Sequence, residues 1–292
     1  MKIGQQWGYI DKSGTVVIPA QFAGAWYFLD GLASVKLNEQ SPLWGFVDKS
    51  GRVVIQPQFG MPLWFSEGQV EGYGEKNHIL NVPLGYVDHA GKYTVHLDER
   101  GMEIEFLLGF SEGLARVSME PKHADGSVGP SKYGYIDHDG KWIIPRSFTG
   151  ADDFHEGLAA VTGEDGTWGY IDKTGQFVIS PRFEAAREFS EGLAAVNVAG
   201  RWGWIGKSGD VVIAPRFVEE EVGVFRSGMA MLVHDRKVGY INTKGEMVIS
   251  QTLDGGSEFI GGVALVPDAS GYAVINDSGR FTCRLDANIA GQ

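Results

Sequence analysis

Residues Trp168 to Val196 read WGYIDKTGQFVISPRFEAAREFSEGLAAV, and this stretch decides the fold because it can be laid over the rest of the chain about eight times. Its anchoring glycine recurs as Gly8, Gly45, Gly85, Gly134, Gly169, Gly203, Gly239 and Gly271, at successive spacings of 37, 40, 49, 35, 34, 36 and 32 residues. A fixed period in that range marks a stacked or circular array of one supersecondary unit. The residue after the glycine is aromatic every time: Tyr9, Phe46, Tyr86, Tyr135, Tyr170, Trp204, Tyr240 and Tyr272. The residue before it is tryptophan at Trp7, Trp44, Trp168 and Trp202, and Leu84, Tyr133, Val238 or Ser270 elsewhere.

Within the unit, Trp168-Gly-Tyr-Ile alternates with a period of two, so Trp168 and Tyr170 share one face of a strand and Gly169 and Ile171 the other, with both faces expected to be buried. A glycine between two aromatics leaves room for a neighbouring side chain to lie over the backbone. The turn Asp172-Lys-Thr-Gly175 has counterparts at Asp11-Lys-Ser-Gly14, Asp48-Lys-Ser-Gly51, Asp137-His-Asp-Gly140 and Asn276-Asp-Ser-Gly279. Its first residue can accept backbone N–H bonds and its glycine can adopt the left-handed conformation, which predicts a hairpin. The next strand is short and β-branched, as in Asp210-Val-Val-Ile213, and a proline one or two residues on is expected to stop it. After a connection of about ten residues, a second phenylalanine such as Phe189 leads into a strand with a small residue inside it, as in Leu193-Ala-Ala-Val196. Each unit therefore reads as a three-stranded antiparallel meander.

These residues resemble the bacterial WG repeat family, named for its Trp-Gly pair: W-G-Y-I-D-x-x-G-x-x-V-I-x-P-x-F, then F-x-E-G-L-A-x-V. The resemblance covers nearly the full chain, closely in units one, two, five and six and more loosely in units three, four and seven and the C-terminal hairpin. It implies an all-β repeat domain used as a binding or interaction module, with no catalytic residues to carry over. The array reads as one domain over residues 1–292, about seven full repeats and a partial terminal unit. The sequence holds eight strands of the WG type, eight of the VVI type and seven of the GLA type, and a unit of 34 to 37 residues is short for a four-stranded propeller blade of about 40–45. Stacking as an open, twisted β-solenoid is thus the expected architecture, with a closed, propeller-like ring as the alternative.

The formal net charge is −12 and the isoelectric point about 5.0, which argues against nucleic acid and for a basic or neutral partner. The lone Cys283 is compatible with a reducing compartment, and no apolar run reaches the roughly 18 residues of a membrane helix, so a cytoplasmic protein without membrane contact is expected. Gly206-Lys207-Ser208 looks like the end of a phosphate-binding loop, but position 201 is Arg rather than Gly and the tripeptide falls on the hairpin turn. Asp137, His138 and Asp139 lack the bidentate carboxylate of a calcium loop. The histidines, His78 and His123 among them, show no HExxH spacing, and no serine sits in a GxSxG elbow. No catalytic residue, metal or cofactor is expected.

Function is to be sought where the repeats differ. The connections from Glu71 to Pro83 and from Ser118 to Tyr133 are expanded, either as a binding face or as tolerated loops. Trp26, Tyr27 and Trp64 precede the second phenylalanine of the first two units, where other copies have Asp152, Asp153, Arg187, Glu188 or Val224. They form either an exposed aromatic ridge for a partner or the N-terminal capping of the array. Three classes of function follow: a protein-interaction module for a basic partner, such as a toxin-neutralising protein; a carbohydrate or small-ligand binder; and an enzyme with a site composed from loops.

Overall fold

The computed structural model describes residues 1–11, 13–72, 85–96, 102–121, 129, 131–218, 221–268 and 271–286. The expanded connections expected after Glu71 and Ser118 lie largely outside these residues, as do His78, His123 and the pair Glu219-Glu220. Among the described residues there is no helix, and the strands form eight antiparallel sheets of three or four strands in sequence order. By its contacts the chain divides into two compact units, Met1–Ser147 and Phe148–Gly291.

The repeat motif is best seen in the sheet built from Ala185–Ala186, Leu193–Val198, Arg201–Gly206 and Val211–Phe217. Three of these strands are the expected ones; the fourth, Ala185–Ala186, lies inside what the sequence offered as a connection. It pairs with the GLA strand through Ala185 opposite Asn197 and Ala186 opposite Val196. Counterparts at Gly24–Leu29, Met102–Ser111 and Glu221–Val222 also make four-stranded sheets, and in the sheet starting at Ala159 an isolated bridge from Ala151 to Val161 takes the same place. The meander is therefore four-stranded wherever this short strand forms.

The hairpin turn is as expected. The Gly175 amide donates to the Asp172 carbonyl at 2.9 Å, Gly175 has φ +84°, and Asp172 Oδ1 accepts from the Thr174 amide and hydroxyl at 2.8 and 2.6 Å. The proline, however, does not stop the following strand, which runs from Phe177 through Pro181 to Phe183. Trp168 faces Phe183 while Tyr170 faces Ile179, so extra residues of the outer strand bulge opposite Gly169. Proline is tolerated there because a bulged residue owes no ladder hydrogen bond. The bulge also corrects the reason for the glycine: a Cβ on Gly169 would meet the Ile179 carbonyl oxygen at 2.5 Å and the Pro181 nitrogen at 2.7 Å. Backbone, not a neighbouring side chain, lies over it, and Gly8, Gly45 and Gly203 meet the same carbonyl, that of Ile18, Ile55 and Ile213.

The cores form between consecutive sheets. Tyr170 and Ile179 of one sheet pack with Phe189, Ala194, Val196 and Ile205 of the next, and Trp204 and Ile213 then pack with Phe225, Ala230 and Ile241 of the one after. The two faces of the WG strand thus serve two different cores, where the alternation predicted only that both would be buried. The depth is unequal, however: Tyr170 and Ile171 are fully buried, whereas Trp168 is half-buried at the side of its cluster and Trp7 is exposed.

Candidate functional site

The candidate site is built on the segment that leads into each GLA strand. In the strand Gly24–Leu29, pairing with Leu32–Lys36 shifts register between Ala25 and Phe28. Phe28 lies on the Tyr9 ring, with centroids 4.7 Å apart, while Trp26 and Tyr27 in the bulge are 40% and 57% exposed. Their rings sit 5.6 Å apart and tilted by 35°. The Tyr9 hydroxyl donates to the Trp26 carbonyl at 2.7 Å, so the bulge is fixed from the neighbouring sheet. In the next sheet Trp64, 47% exposed, precedes the buried Phe65 as Tyr27 precedes Phe28, while Leu63, the counterpart of Trp26, is buried. Of the three residues singled out in the sequence, Tyr27 and Trp64 therefore occupy equivalent stations in successive repeats of the Met1–Ser147 unit, with Trp26 beside Tyr27. Further along, the position of Tyr27 and Trp64 is taken by Gly109, Asp153, Glu188, Val224 and Glu258.

The phenol tie that fixes the bulge recurs. Tyr170 donates to the Arg187 carbonyl and Tyr240 to the Ser257 carbonyl, each at 2.8 Å, and Tyr86 to the Leu108 carbonyl at 2.6 Å. Burial raises the Tyr9 and Tyr170 hydroxyls well above their usual range, with the nearby charges of Asp152 and Glu188 adding to the effect at Tyr170, and pushes Tyr240 up to about 12. All three remain protonated donors at any physiological pH.

Three residues beyond Tyr27 and Trp64 stand Asp30 and Glu67, an element the sequence reading did not resolve. Each is the first residue of a two-residue turn, with φ of +49° and +50°, followed by Gly31 and Gly68, also at positive φ. The turn is closed by reciprocal bonds such as Ser66 to Gln69 at 2.8 and 3.1 Å. Two left-handed residues give the turn type whose twist suits a tight hairpin. The recurring dipeptides Asp30-Gly31, Glu67-Gly68, Glu156-Gly157 and Glu191-Gly192, each just before a strand, were the available signal.

The acid also ties its sheet to the next. Asp30 Oδ2 accepts the Gly68 amide at 2.6 Å and Glu67 Oε2 the Gly113 amide at 2.8 Å, and Glu156 and Glu191 receive the Gly192 and Gly228 amides in the same way. The following sheet adds a nitrogen-bearing side chain from its hairpin turn: His89 Nε2 lies 3.4 Å from Asp30, His138 Nε2 3.3 Å from Glu67 and Lys207 Nζ 3.1 Å from Glu156. The His138 ring also stacks on Phe110, with centroids 3.9 Å apart. These contacts show what the suspicious turns do. Lys207 of the Gly-Lys-Ser tripeptide holds Glu156, and Asp137 beside His138 accepts the Asp139 and Lys141 amides at 3.1 and 2.9 Å. Among the described residues no group of three His, Cys, Asp or Glu side chains is placed to hold a metal.

The same unit also holds a cleft of about 260 Å³ lined by Gln5, Gln6, Ala23, Leu37, Asn38, Glu39 and Gln40.

Sheets of this kind, joined in sequence order and tied by recurring turns, define an all-β repeat protein. The family model of the WG containing repeat matches residues 7–40, 44–61, 133–166, 168–202, 202–237 and 239–266, well over half of the chain, and the protein belongs to that family. No curated protein matches it. Solved structures similar to the chain include "KlHsv2 with loop 6CD replaced by a Gly-Ser linker", at 11% identity and a TM-score of 0.48 over 88% of this chain and 95% of that one. The WD40 beta propeller domain of Doa1 aligns at 10% identity and a TM-score of 0.38 over 87% and 95%. HIRA(644-1017) aligns at 10% identity and a TM-score of 0.33 over 52% of this chain and 54% of its own, so the match spans about half of that fragment.

Proposed function

We propose that the protein is a non-enzymatic interaction module whose partner is a basic protein, held at Trp26, Tyr27 and Trp64. The observation that carries this reading is the exposure of those three rings just ahead of the second phenylalanine in the first two units, Trp26 and Tyr27 in a bulge of the strand Gly24–Leu29. Large aromatics on a fixed backbone supply contact area at low entropic cost, and a net charge of −12 favours a positively charged partner during encounter. A toxin-neutralising role is one concrete form of this activity, and the cytoplasm is the compartment we assign it. We further propose that the sheets continue as an open stack rather than a ring; small-angle scattering giving a hollow, closed ring profile would count against that.

The test is a capture experiment followed by binding kinetics at low and high salt. For the wild type, association slows as salt rises; for a Trp26→Ala/Trp64→Ala double variant, dissociation accelerates while the fold persists. An acidic partner, or an unchanged off-rate in the folded double variant, would overturn the corresponding half of the reading. A second reading, a ligand-binding protein for small polyhydroxylated molecules, is favoured by the cleft, because the carboxamides of Gln5, Gln6, Asn38 and Gln40 can each donate to and accept from hydroxyl groups. Retention on a glycan array that is lost in a Gln6→Ala/Asn38→Ala variant would establish it.

A further inference from the structure

Consecutive sheets close cores with one another, and strand register tells which side chains do it. In the sheet of Leu193–Val198, Arg201–Gly206 and Val211–Phe217, Ala195, Trp204 and Ile213 lie in one row across the strands. That row shares a core with Phe225, Ala230 and Ile241 of the following sheet, while Ile205, on the opposite face, joins Tyr170 and Ile179 of the preceding one. In the sheet of Val263–Asp268, Gly271–Asn276 and Phe281–Asp286 the same row is Leu265, Val274 and Cys283. Val266 faces Ala273 there as Val196 faces Gly203, so the anchoring station falls on Ala273 rather than on Gly271. This row is open: Leu265 is 43% exposed, Val263 on the same face 40%, Val274 is half-buried and Cys283 exposed, whereas Ala195, Trp204 and Ile213 are fully buried. Ala264 and Val266, on the other face of the strand, are buried in the core shared with Tyr240 and Phe259.

The first sheet, Lys2–Ile3 with Gln6–Ile10 and Val16–Phe22, is open on the opposite side. Ile10 faces Val16 as Ile205 faces Val211 and Ile171 faces Phe177, yet it is 47% exposed where Ile171, Ile205 and Ile241 are fully buried. Its other face is closed, with Ile18 and Phe22 in a core with Ala33, Val35 and Val47 of the second sheet. One sheet thus exposes the following half of the repeated interface and the other its preceding half. A sheet that caps a repeat array carries a polar outer face, so apolar rows left in water at these stations mark a contact surface. Size agrees as well. Lys2–Ile3 matches only Asn197–Val198 of the GLA strand, so the first sheet brings no counterpart of Ala194 to its open face. The other sheet offers the large Leu265 at the station of the small Ala160 and Ala195.

We infer that these faces are the two halves of one contact between copies of this chain, in which the Leu265 row of one copy packs on the Ile10 face of a second, head to tail. The occupant is a second copy because the halves left open are the same two that pack on each other between neighbouring sheets of the chain. The inference rests on the open-stack reading and not on the aromatic residues Trp26, Tyr27 and Trp64. Such a heterologous contact leaves one face of each kind free at the ends of an assembly, so association continues as concentration rises.

The experiment follows the full chain by sedimentation velocity over rising concentration, with Ile10→Lys and Leu265→Lys variants run singly and mixed. Both positions are exposed in the single chain, so lysine leaves the fold intact, which thermal melts check. The wild type is expected to grow past the dimer. Each variant alone is expected to stay monomeric, its contact weakened about a hundredfold by an ammonium buried without a partner. The equimolar mixture is expected to give a dimer and nothing larger, because one copy keeps the Leu265 row and the other keeps the Ile10 face. Val212→Lys, at an exposed valine of an interior sheet, should assemble as the wild type does. Either end variant dimerising alone shows like faces pairing and overturns the head-to-tail contact, as does a mixture that stays monomeric or loss of assembly in Val212→Lys. A wild type that is monomeric at every concentration overturns it too. If scattering then gives a closed ring, the open stack falls with it; if it does not, the open stack stands and only the contact between copies is refuted.

Discussion

At the scale of single residues, the repeat is held by positions whose substitutes meet backbone. Gly169→Ala places a Cβ 2.5 Å from the Ile179 carbonyl oxygen and 2.7 Å from the Pro181 nitrogen, so the bulge must move, and a loss of about 3 kcal/mol is expected in urea melts. Gly192→Ala, in open space at φ +77°, meets only the left-handed penalty of about 1 kcal/mol. A reversed order of the two losses would show that the bulge is not what requires glycine. Tyr170→Phe leaves the Arg187 carbonyl without its donor and is expected to cost about 1–3 kcal/mol, whereas Trp168→Ala, half-buried, removes less packing than a fully enclosed ring and should fall below the roughly 3–5 kcal/mol typical of one. The hairpin acids carry a pH signature. The Asp172 carboxyl is held below its ordinary range chiefly by the Thr174 hydroxyl. A lowered folded-state pKa means that the group stabilises the fold above its unfolded pKa of about 3.9, and that this contribution fades as the pH falls through the lowered value. Thr174→Ala should move the Asp172 titration upward in carboxyl-resolved NMR; no movement would assign the shift to the backbone donors instead.

At the scale of the element, the hairpin was legible in the sequence because its chemistry is local: Asp172 accepts amides two and four residues away and Gly175 supplies the positive φ. The strand beyond it was misjudged because proline was read as a stop, although opposite Gly169 the chain bulges and proline loses nothing there. The short strand Ala185–Ala186 escaped notice since two residues are too few to display a period, and its pairing with Ala-Val-Asn is a tertiary fact. Of the candidate site, the rings Trp26, Tyr27 and Trp64 were visible as departures from the repeat. Asp30 and Glu67 were not, because an acid in a consensus reads as a solvated residue until its carboxylate is seen accepting an amide from a residue 38 or 46 positions away. The left-handed acid gives a test at this scale. Glu191 has φ +53° and accepts the Gly228 amide at 2.8 Å. Glu191→Ala keeps the strained backbone and loses the acceptor, for a cost of about 1–2 kcal/mol, while Glu191→Gly loses the acceptor but relieves the strain, leaving a change within about 0.5 kcal/mol. Equal costs in denaturant melts would show that the conformation at this turn is not strained.

At the scale of the whole molecule, the two compact units differ in how well they keep the apolar pattern of the buried GLA strand. In Phe148–Gly291 those strands are made of residues such as Ala159-Ala160-Val161 and Leu193-Ala194-Ala195-Val196. In Met1–Ser147 one of them reads Gln69-Val70-Glu71-Gly72, buried throughout, with Gln69 Oε1 lacking a hydrogen-bond partner among the described residues. A buried acceptor left unsatisfied costs about 1–3 kcal/mol, and stability in a repeat array is a sum of local terms that need not be shared evenly. Hydrogen exchange is therefore expected to show the sheet containing residues 69–72 and 85–96 opening before the sheets of residues 168–217. There Asn197 Oδ1 and Trp204 Nε1 are also unsatisfied among the described residues, but the buried GLA strand keeps its apolar pattern. Gln69→Leu restores the side chain found at Leu32, Leu114, Leu158 and Leu193 and removes the unsatisfied oxygen, at the expense of the 3.2 Å bond from its Nε2 to the His138 carbonyl. A net gain of about 1 kcal/mol is expected, read as slower exchange in residues 69–72 and 85–96 with exchange in residues 159–217 unchanged. If protection rose equally in both units, the molecule would be opening as one cooperative body, and the division of its stability between the two units would be wrong.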